Sequence, residues 1–361
     1  MSIEKIHKLH TKTEFHIEQC LQLAIHLHAL FPFAFFGGAP QIFMVSLIVQ
    51  IIFSTAFGLI MKDAQTRGRN LLAVGAVNYT VAAIAAALLV LRAGNFEWSI
   101  ATLMVGLFGG ITYVVSYFLL IPAIRLSGIS VTIAVVRVSV LVPILFSIFY
   151  WNEKPNLYQV AGVILVCLSL PLLSNVVCLV PTKASITNGI AEYKANKKPN
   201  NASQENKSKV ASLLLIFALF VITGGCGLSA KAFYEFSPDS QRLIFLTVLF
   251  GTAAAIGISS LIFRHLVGEK QEKNTLAKIS PPGIRDIVPG IFLGLSNIVG
   301  NHFLLLALKG LPGMIVFPVS SSMGVILTTL VAMTVWREKL PRPAMAGIVT
   351  AVIAVVLINL K

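Results

Sequence analysis

The residue whose type and setting most directly demand chemistry is Arg137, inside the run Val135-Val136-Arg137-Val138-Ser139. A guanidinium at mid-depth of a bilayer costs about 2.5–3.5 kcal/mol on insertion scales, so keeping it there requires a partner. One partner chemistry is an anion or carboxylate on a bound solute. The other is structural: backbone carbonyls freed at a helix break, for which Pro143 supplies a cause.

A second pattern is periodic. Gly106, Gly110, Tyr113 and Tyr117 stand at i, i+4, i+7 and i+11, one stripe of a helix. Gly290, Gly294, Asn297 and Asn301 repeat that stripe later in the chain, with His302 adjacent. Glycines let helix backbones approach closely, and Asn and Tyr then project along the same face. That face either lines a solute cavity or serves as hydrogen-bonding glue between helices. Under the same repeat Arg137 falls opposite Ser322, within Ser320-Ser321-Ser322, so a site drawn from both halves is asymmetric.

The elements that carry these residues follow from composition. Of 361 residues 56% are hydrophobic and 12% charged, with a mean hydropathy of +0.85. Soluble domains carry about 25% charged residues, so the balance excludes a disordered chain and argues for a polytopic membrane protein. Ten apolar stretches are long enough to cross hydrocarbon as helices: 43–61, 71–91, 99–121, 129–150, 157–180, 210–230, 242–263, 285–308, 313–336 and 342–360. All fourteen acids fall outside the middle of these stretches; Glu97, Glu153, Asp286 and Glu338 sit at their ends.

The net charge of +14 belongs to the loops between spans, so it reads as membrane topology and not as a nucleic-acid surface. The loops facing one side carry twice as many Lys and Arg as those facing the other. The positive-inside rule then puts residues 181–209 in the cytoplasm and the C-terminus outside. Lys62 and Lys231, each closing the first span of a half, are expected to snorkel toward the headgroups. Cys20, Cys167, Cys178 and Cys226 have no metal-ligand or disulfide spacing.

Two segments stand apart. Residues 181–209 are rich in Lys, Asn and Ser and read as a flexible linker. Residues 1–42 join three lysines to a short apolar stretch broken by His26, His28 and Pro32, and are expected to lie outside the core. An eleventh helix or a signal peptide are the other readings of that extension. The chain therefore divides into 1–42, a first five-helix unit 43–180, the linker, and a second five-helix unit 210–361.

The two units repeat one another. Gly106-Leu107-Phe108 matches Gly290-Ile291-Phe292, Trp151-Asn152-Glu153-Lys154 matches Trp336-Arg337-Glu338-Lys339, and Ala161-Gly162 matches Ala346-Gly347. Gly58-Leu59 with Lys62 likewise matches Gly227-Leu228 with Lys231. Five spans is an odd number, so consecutive copies enter the membrane from opposite sides. The fold expected is all-α, ten transmembrane helices arranged as two inverted five-helix repeats, a plan shared by many secondary transporters.

This layout, with an acidic-basic pair at each fourth-to-fifth span junction and a Gly opening the span that follows, resembles the drug/metabolite transporter superfamily. The specific likeness is to its ten-helix EamA-type members, over about residues 43–360. The resemblance implies a multi-pass protein of the cell (inner or plasma) membrane that carries a small metabolite by alternating access. Smaller relatives export cationic drugs through a carboxylate in the first helix; the first span here has no acid. The solute expected instead is anionic or carboxylate-bearing, contacted by Arg137, Tyr113, Tyr117, Asn297, Asn301 and His302.

A channel or facilitator for ions such as magnesium is the competing class, but a cation pore wants acidic rings or carbonyl filters. A membrane enzyme is third, and no Gly-rich phosphate loop, His-Glu-x-x-His or Gly-x-Ser-x-Gly motif is present. No enzyme activity, cofactor or metal is expected. The partners expected are the small-molecule solute and the lipid bilayer; a homodimer is left open.

Overall fold

The computed structural model describes residues 41–127, 129–178, 202–268, 283–335 and scattered positions between 346 and 357. Every regular element among them is helical. They are α1 (Gln41–Thr66), α2 (Leu71–Ala93), α3 (Ile100–Ser127), α4 (Ile129–Val138), α5 (Leu141–Phe149), α6 (Leu157–Cys178), α7 (Ala202–Phe236), α8 (Arg242–Gly268), α9 (Ile284–Gly310) and α10 (Gly313–Val335). The 1–42 extension but for its last two positions, most of the linker, the Glu338 junction and most of the tenth predicted span lie outside the described residues.

Local chemistry sets the helix ends. Asn70 caps α2 by accepting the Ala73 N–H at 3.3 Å, and Gly94 closes it in the left-handed region at φ 65°. At the start of α6, Asn156 and Gln159 form a reciprocal capping box: the Asn156 N–H donates to Gln159 Oε1 at 2.9 Å, and the Gln159 N–H to Asn156 Oδ1 at 2.8 Å. Asp286 closes the first turn of α9, accepting the Gly283 N–H at 3.1 Å.

Among the described residues six helices are long and apolar enough to cross a membrane: Gln41–Ala64, Leu71–Ala93, Ile100–Leu120, Ser212–Phe236, Asp239–Phe263 and Arg285–Gly310. Their outward faces are apolar, as with Ile84, Leu88 and Leu91 along one side of α2. In water such a surface would be an aggregation liability; in lipid it is the required face. The polytopic membrane class is what the structure supports.

The fourth predicted span is divided. The chain breaks at Ser139 and Val140, before Pro143 and not at it. Pro143 occupies the first turn of α5, where a missing N–H is tolerated. The break thus leaves Arg137 in the last turn of α4.

Helix packing is dominated by contacts between the first five and the later helices. The largest contact surfaces join α1 to α9, α3 to α7, α2 to α8, α2 to α9 and α3 to α8. Lesser ones join α10 to α1, α5 and α6, and α7 to α4 and α5. The buried core is accordingly aromatic and aliphatic, with Phe233, Phe245, Phe250, Leu249, Leu293 and Leu305 almost fully enclosed.

Candidate functional site

Two glycine contacts bring the helices of the polar stripe together. A Cβ on Gly110 of α3 would sit 2.5 Å from the Leu249 carbonyl oxygen and 2.6 Å from Thr252 Cβ of α8. A Cβ on Gly294 of α9 would sit 2.7 Å from the Asn78 carbonyl oxygen and 2.8 Å from Val81 Cβ of α2. Gly106 and Gly290, one turn earlier, meet Val248 and Val77 in the same manner. These separations are below van der Waals contact, so only glycine permits them. The stripe read from spacing is therefore a close-packing surface at its glycine end.

Further along that stripe a hydrogen-bonded chain crosses the bundle. The Tyr113 hydroxyl donates to Asn301 Oδ1 at 2.5 Å. Asn301 Nδ2 donates to Asn297 Oδ1 at 2.8 Å and to the Asn297 carbonyl at 2.9 Å. Asn297 Nδ2 reaches Asn78 Oδ1 on α2 at 3.3 Å. Above this chain the Tyr79 hydroxyl donates to the Tyr113 carbonyl at 3.2 Å. The Tyr113 ring meets Phe250 edge-on, and the Cys226 sulfur of α7 faces Thr112. Amides and phenols in a low-dielectric interior can exchange these bonds for bonds to a polar solute at little net cost, since each pairing is worth only about 0.6–2 kcal/mol in membranes.

Of the residues singled out from sequence, Tyr113, Asn297 and Asn301 lie in this one network. Tyr117 lies at its edge: its ring meets Tyr79 edge-on, packs on Gly75, and its hydroxyl donates to the Leu71 carbonyl at 2.5 Å. His302 points elsewhere, with its ring against Phe303 and its Nδ1 buried and unpartnered among the described residues. Arg137 is half-buried, and no hydrogen bond or ion pair engages it among the described residues. Among the described residues no hydrogen bond joins Arg137 to the amide network.

Two network members escaped the sequence reading. Asn78 is fully buried, its Nδ2 without a partner among the described residues, and Tyr79 follows it. The signal was present: an Asn inside an otherwise apolar span.

Acidic residues at helix ends tie neighbouring elements. Asp286 Oδ1 accepts the Asn70 N–H at 3.4 Å, joining the α1–α2 turn to α9. At the opposite end of the bundle the Thr102 hydroxyl donates to Gln241 Oε1 at 2.5 Å, joining α3 to the turn before α8. Near that second end, Lys231 is 7% exposed and paired at 2.8 Å with both Glu153 and Glu235. It does not snorkel. Two carboxylates hold the ammonium inside, which outweighs the attraction of the headgroup region.

The fold and the site are those of a polytopic helical membrane protein with a polar interior. Residues 41–175 match the EamA-like transporter family, which belongs to the drug/metabolite transporter superfamily. A solved structure described as "Crystal structure of protein" matches with a TM-score of 0.61 at 14% identity, over 87% of this chain and 94% of that chain. At that identity the likeness shows a shared fold. No curated protein matches the chain.

Proposed function

We propose that this protein is a secondary carrier that moves a small solute by alternating access between two inverted five-helix repeats, 43–180 and 210–361. The observation that carries the reading is the reciprocity of the glycine contacts. α3 packs on α8 through Gly106 and Gly110 as α9 packs on α2 through Gly290 and Gly294. The larger interfaces follow the same exchange, with α1 on α9 against α7 on α3. Such a molecule has two related ways to close around one centre, which is the physical requirement for opening alternately to two sides.

The solute class proposed is an anion, taken by Arg137 and oriented by Tyr113, Asn297 and Asn301. Half-burial without a carboxylate or hydrogen-bond partner among the described residues supports a ligand role for this guanidinium. Its place in the last turn of α4, where a helix favours a cation, supports the structural role instead. The two are separable. If the solute is the partner, Arg137→Gln abolishes uptake per folded molecule with the melting temperature kept, and Arg137→Lys retains part of it. Normal uptake per folded molecule in Arg137→Gln ends the anion reading.

The carrier itself is tested by reconstitution into liposomes. Saturable counterflow of carboxylate-bearing metabolites is expected. Ion conductance without counterflow would instead identify a channel.

A further inference from the structure

The bundle end that carries Glu153 has one carboxylate on which three elements converge. Glu153 lies in the turn between α5 and α6. Its Oε1 accepts the Gly313 N–H at 3.1 Å and its Oε2 the Met314 N–H at 3.0 Å, the first two amides of α10. The same Oε1 takes the Lys231 ammonium of α7 at 2.8 Å. Glu235, one turn on, also holds that ammonium at 2.8 Å, and the Trp151 ring lies 5.8 Å from it. A carboxylate on a helix N-terminus is favoured by the exposed amides and the helix dipole, and a lysine on the same oxygen strengthens both contacts.

The location gives this contact its meaning. Helices α2, α3, α8 and α9 are pinned by the glycine contacts, and by one polar tie at each end of the bundle, Asn70 with Asp286 and Thr102 with Gln241. α7 is also held on α3, by Gly109 against Ser229 and Gly225 against Thr112, so an opening at the Glu153 end has to part α7 from the α5–α6 turn and from the start of α10. Glu153 joins these three at one end. Below it the three helices converge, with Gly313 against Ser147 and Gly227 against Pro143 and Phe317.

We propose that Glu153, Lys231 and the first amides of α10 form a latch that seals the solute route at this end and is broken each time the carrier opens there. The latch rests on the alternating-access reading above. Its key is the carboxylate, because only an anion satisfies both the helix N-terminus and the lysine.

Cys226, one and a half turns from Lys231 on α7 and beside the Tyr113 network, reports on the latch. The test uses the full chain with Cys226 as its single cysteine, reconstituted in one orientation, and a membrane-impermeant maleimide added to either side. Glu153→Gln is expected to raise alkylation from the Glu153 side by about ten- to a hundredfold, the equilibrium worth of a lost charge-assisted bond, and to lower it from the other side. Lys231→Met keeps the helix cap and should give a smaller rise of the same sign. It carries the test should Glu153→Gln not fold. Exchanging the pair, Glu153→Lys with Lys231→Glu, should leave the site open, since an ammonium cannot cap α10. Gly251→Ala, in the pinned helices and with nothing within 4 Å of the added Cβ, should leave labelling unchanged.

Unchanged alkylation from the Glu153 side in Glu153→Gln and Lys231→Met overturns the latch. A rise on that side with no fall on the other keeps the latch and overturns alternating access.

Discussion

The contact of α3 with α8 and that of α9 with α2 are nearly the same object built twice. In each, two glycines one turn apart bring a backbone carbonyl to where a Cβ would stand, Leu249 in one and Asn78 in the other. Beyond the glycines the two diverge. One stripe continues as Tyr113 and Tyr117, the other as Asn297 and Asn301; the facing pairs are Leu249 with Phe250, and Asn78 with Tyr79. Close approach has a single solution, the absence of a side chain, so both copies keep it. Hydrogen bonding has many solutions, so the copies are free to differ, and the polar centre lies where they do.

The most damaging way to break the comparison is to give the glycines a side chain. At Gly110 the obstacle is a carbonyl oxygen at 2.5 Å, which cannot move without moving α8. Gly110→Ala should lose about 1–3 kcal/mol or more through overpacking, read as a fall in melting temperature in detergent. Gly294→Ala meets its carbonyl at 2.7 Å and should cost somewhat less, and Gly106→Ala, whose nearest carbonyl oxygen, that of Phe245, is 3.4 Å away and whose closer neighbours are Val248 side-chain atoms, less again. Gly58→Ala and Gly251→Ala have nothing within 4 Å and should be neutral or stabilising by up to about 1 kcal/mol. Equal losses at Gly110 and Gly251 would remove the close-packing account.

A middle-sized effect is expected from the amide network. Tyr113→Phe leaves the ring against Phe250 and removes only the donor to Asn301. Stability should fall by about 0.6–1.7 kcal/mol, the measured range for hydrogen bonds within membranes. Uptake per folded molecule should fall further than that if the phenol also touches the solute. A fall in uptake that merely tracks the loss of folded protein would assign Tyr113 to glue.

How much of this was legible follows from which signals are local. The six membrane-length helices among the described residues are legible from hydropathy, whereas the break of the fourth predicted span at Ser139 and Val140 is not. The glycine stripe was legible because close approach leaves a fixed spacing in the chain. The fate of Lys231 was not, because its partner Glu153 is distant in sequence and only packing brings α7 against the α5–α6 turn. Pro143 was legible as a cause of a helix break, but not the position of the break. Proline disrupts the turn on its N-terminal side, so Ser139 and Val140 leave the helix and Pro143 stands in the first turn of the next. Asn78 carried no spacing signal because its partner Asn297 is distant in sequence and only packing brings α2 against α9.

The same residue supplies the finest test. Asn78 contributes one long bond, to Asn297 at 3.3 Å, and keeps a buried donor without a partner among the described residues, a cost comparable to the bond itself. Leucine already fills the matching position 249 on the α3 side, where it is 1% exposed. Asn78→Leu therefore exchanges an orphaned donor and a weak bond for apolar packing, and strands Asn297 Nδ2. The net change in stability should stay within about 1 kcal/mol, a small shift in melting temperature of either sign. Were Asn78 only interhelical glue, the variant would carry solute as well as the parent. An amide kept buried at this cost has a use if it pairs with the solute in transit. Asn78→Leu should then cut uptake per folded molecule at least tenfold, the worth of about 1.4 kcal/mol, while the melt hardly moves. Uptake equal to the parent's would make the two contacts chemically equivalent and return the asymmetry to Arg137 alone.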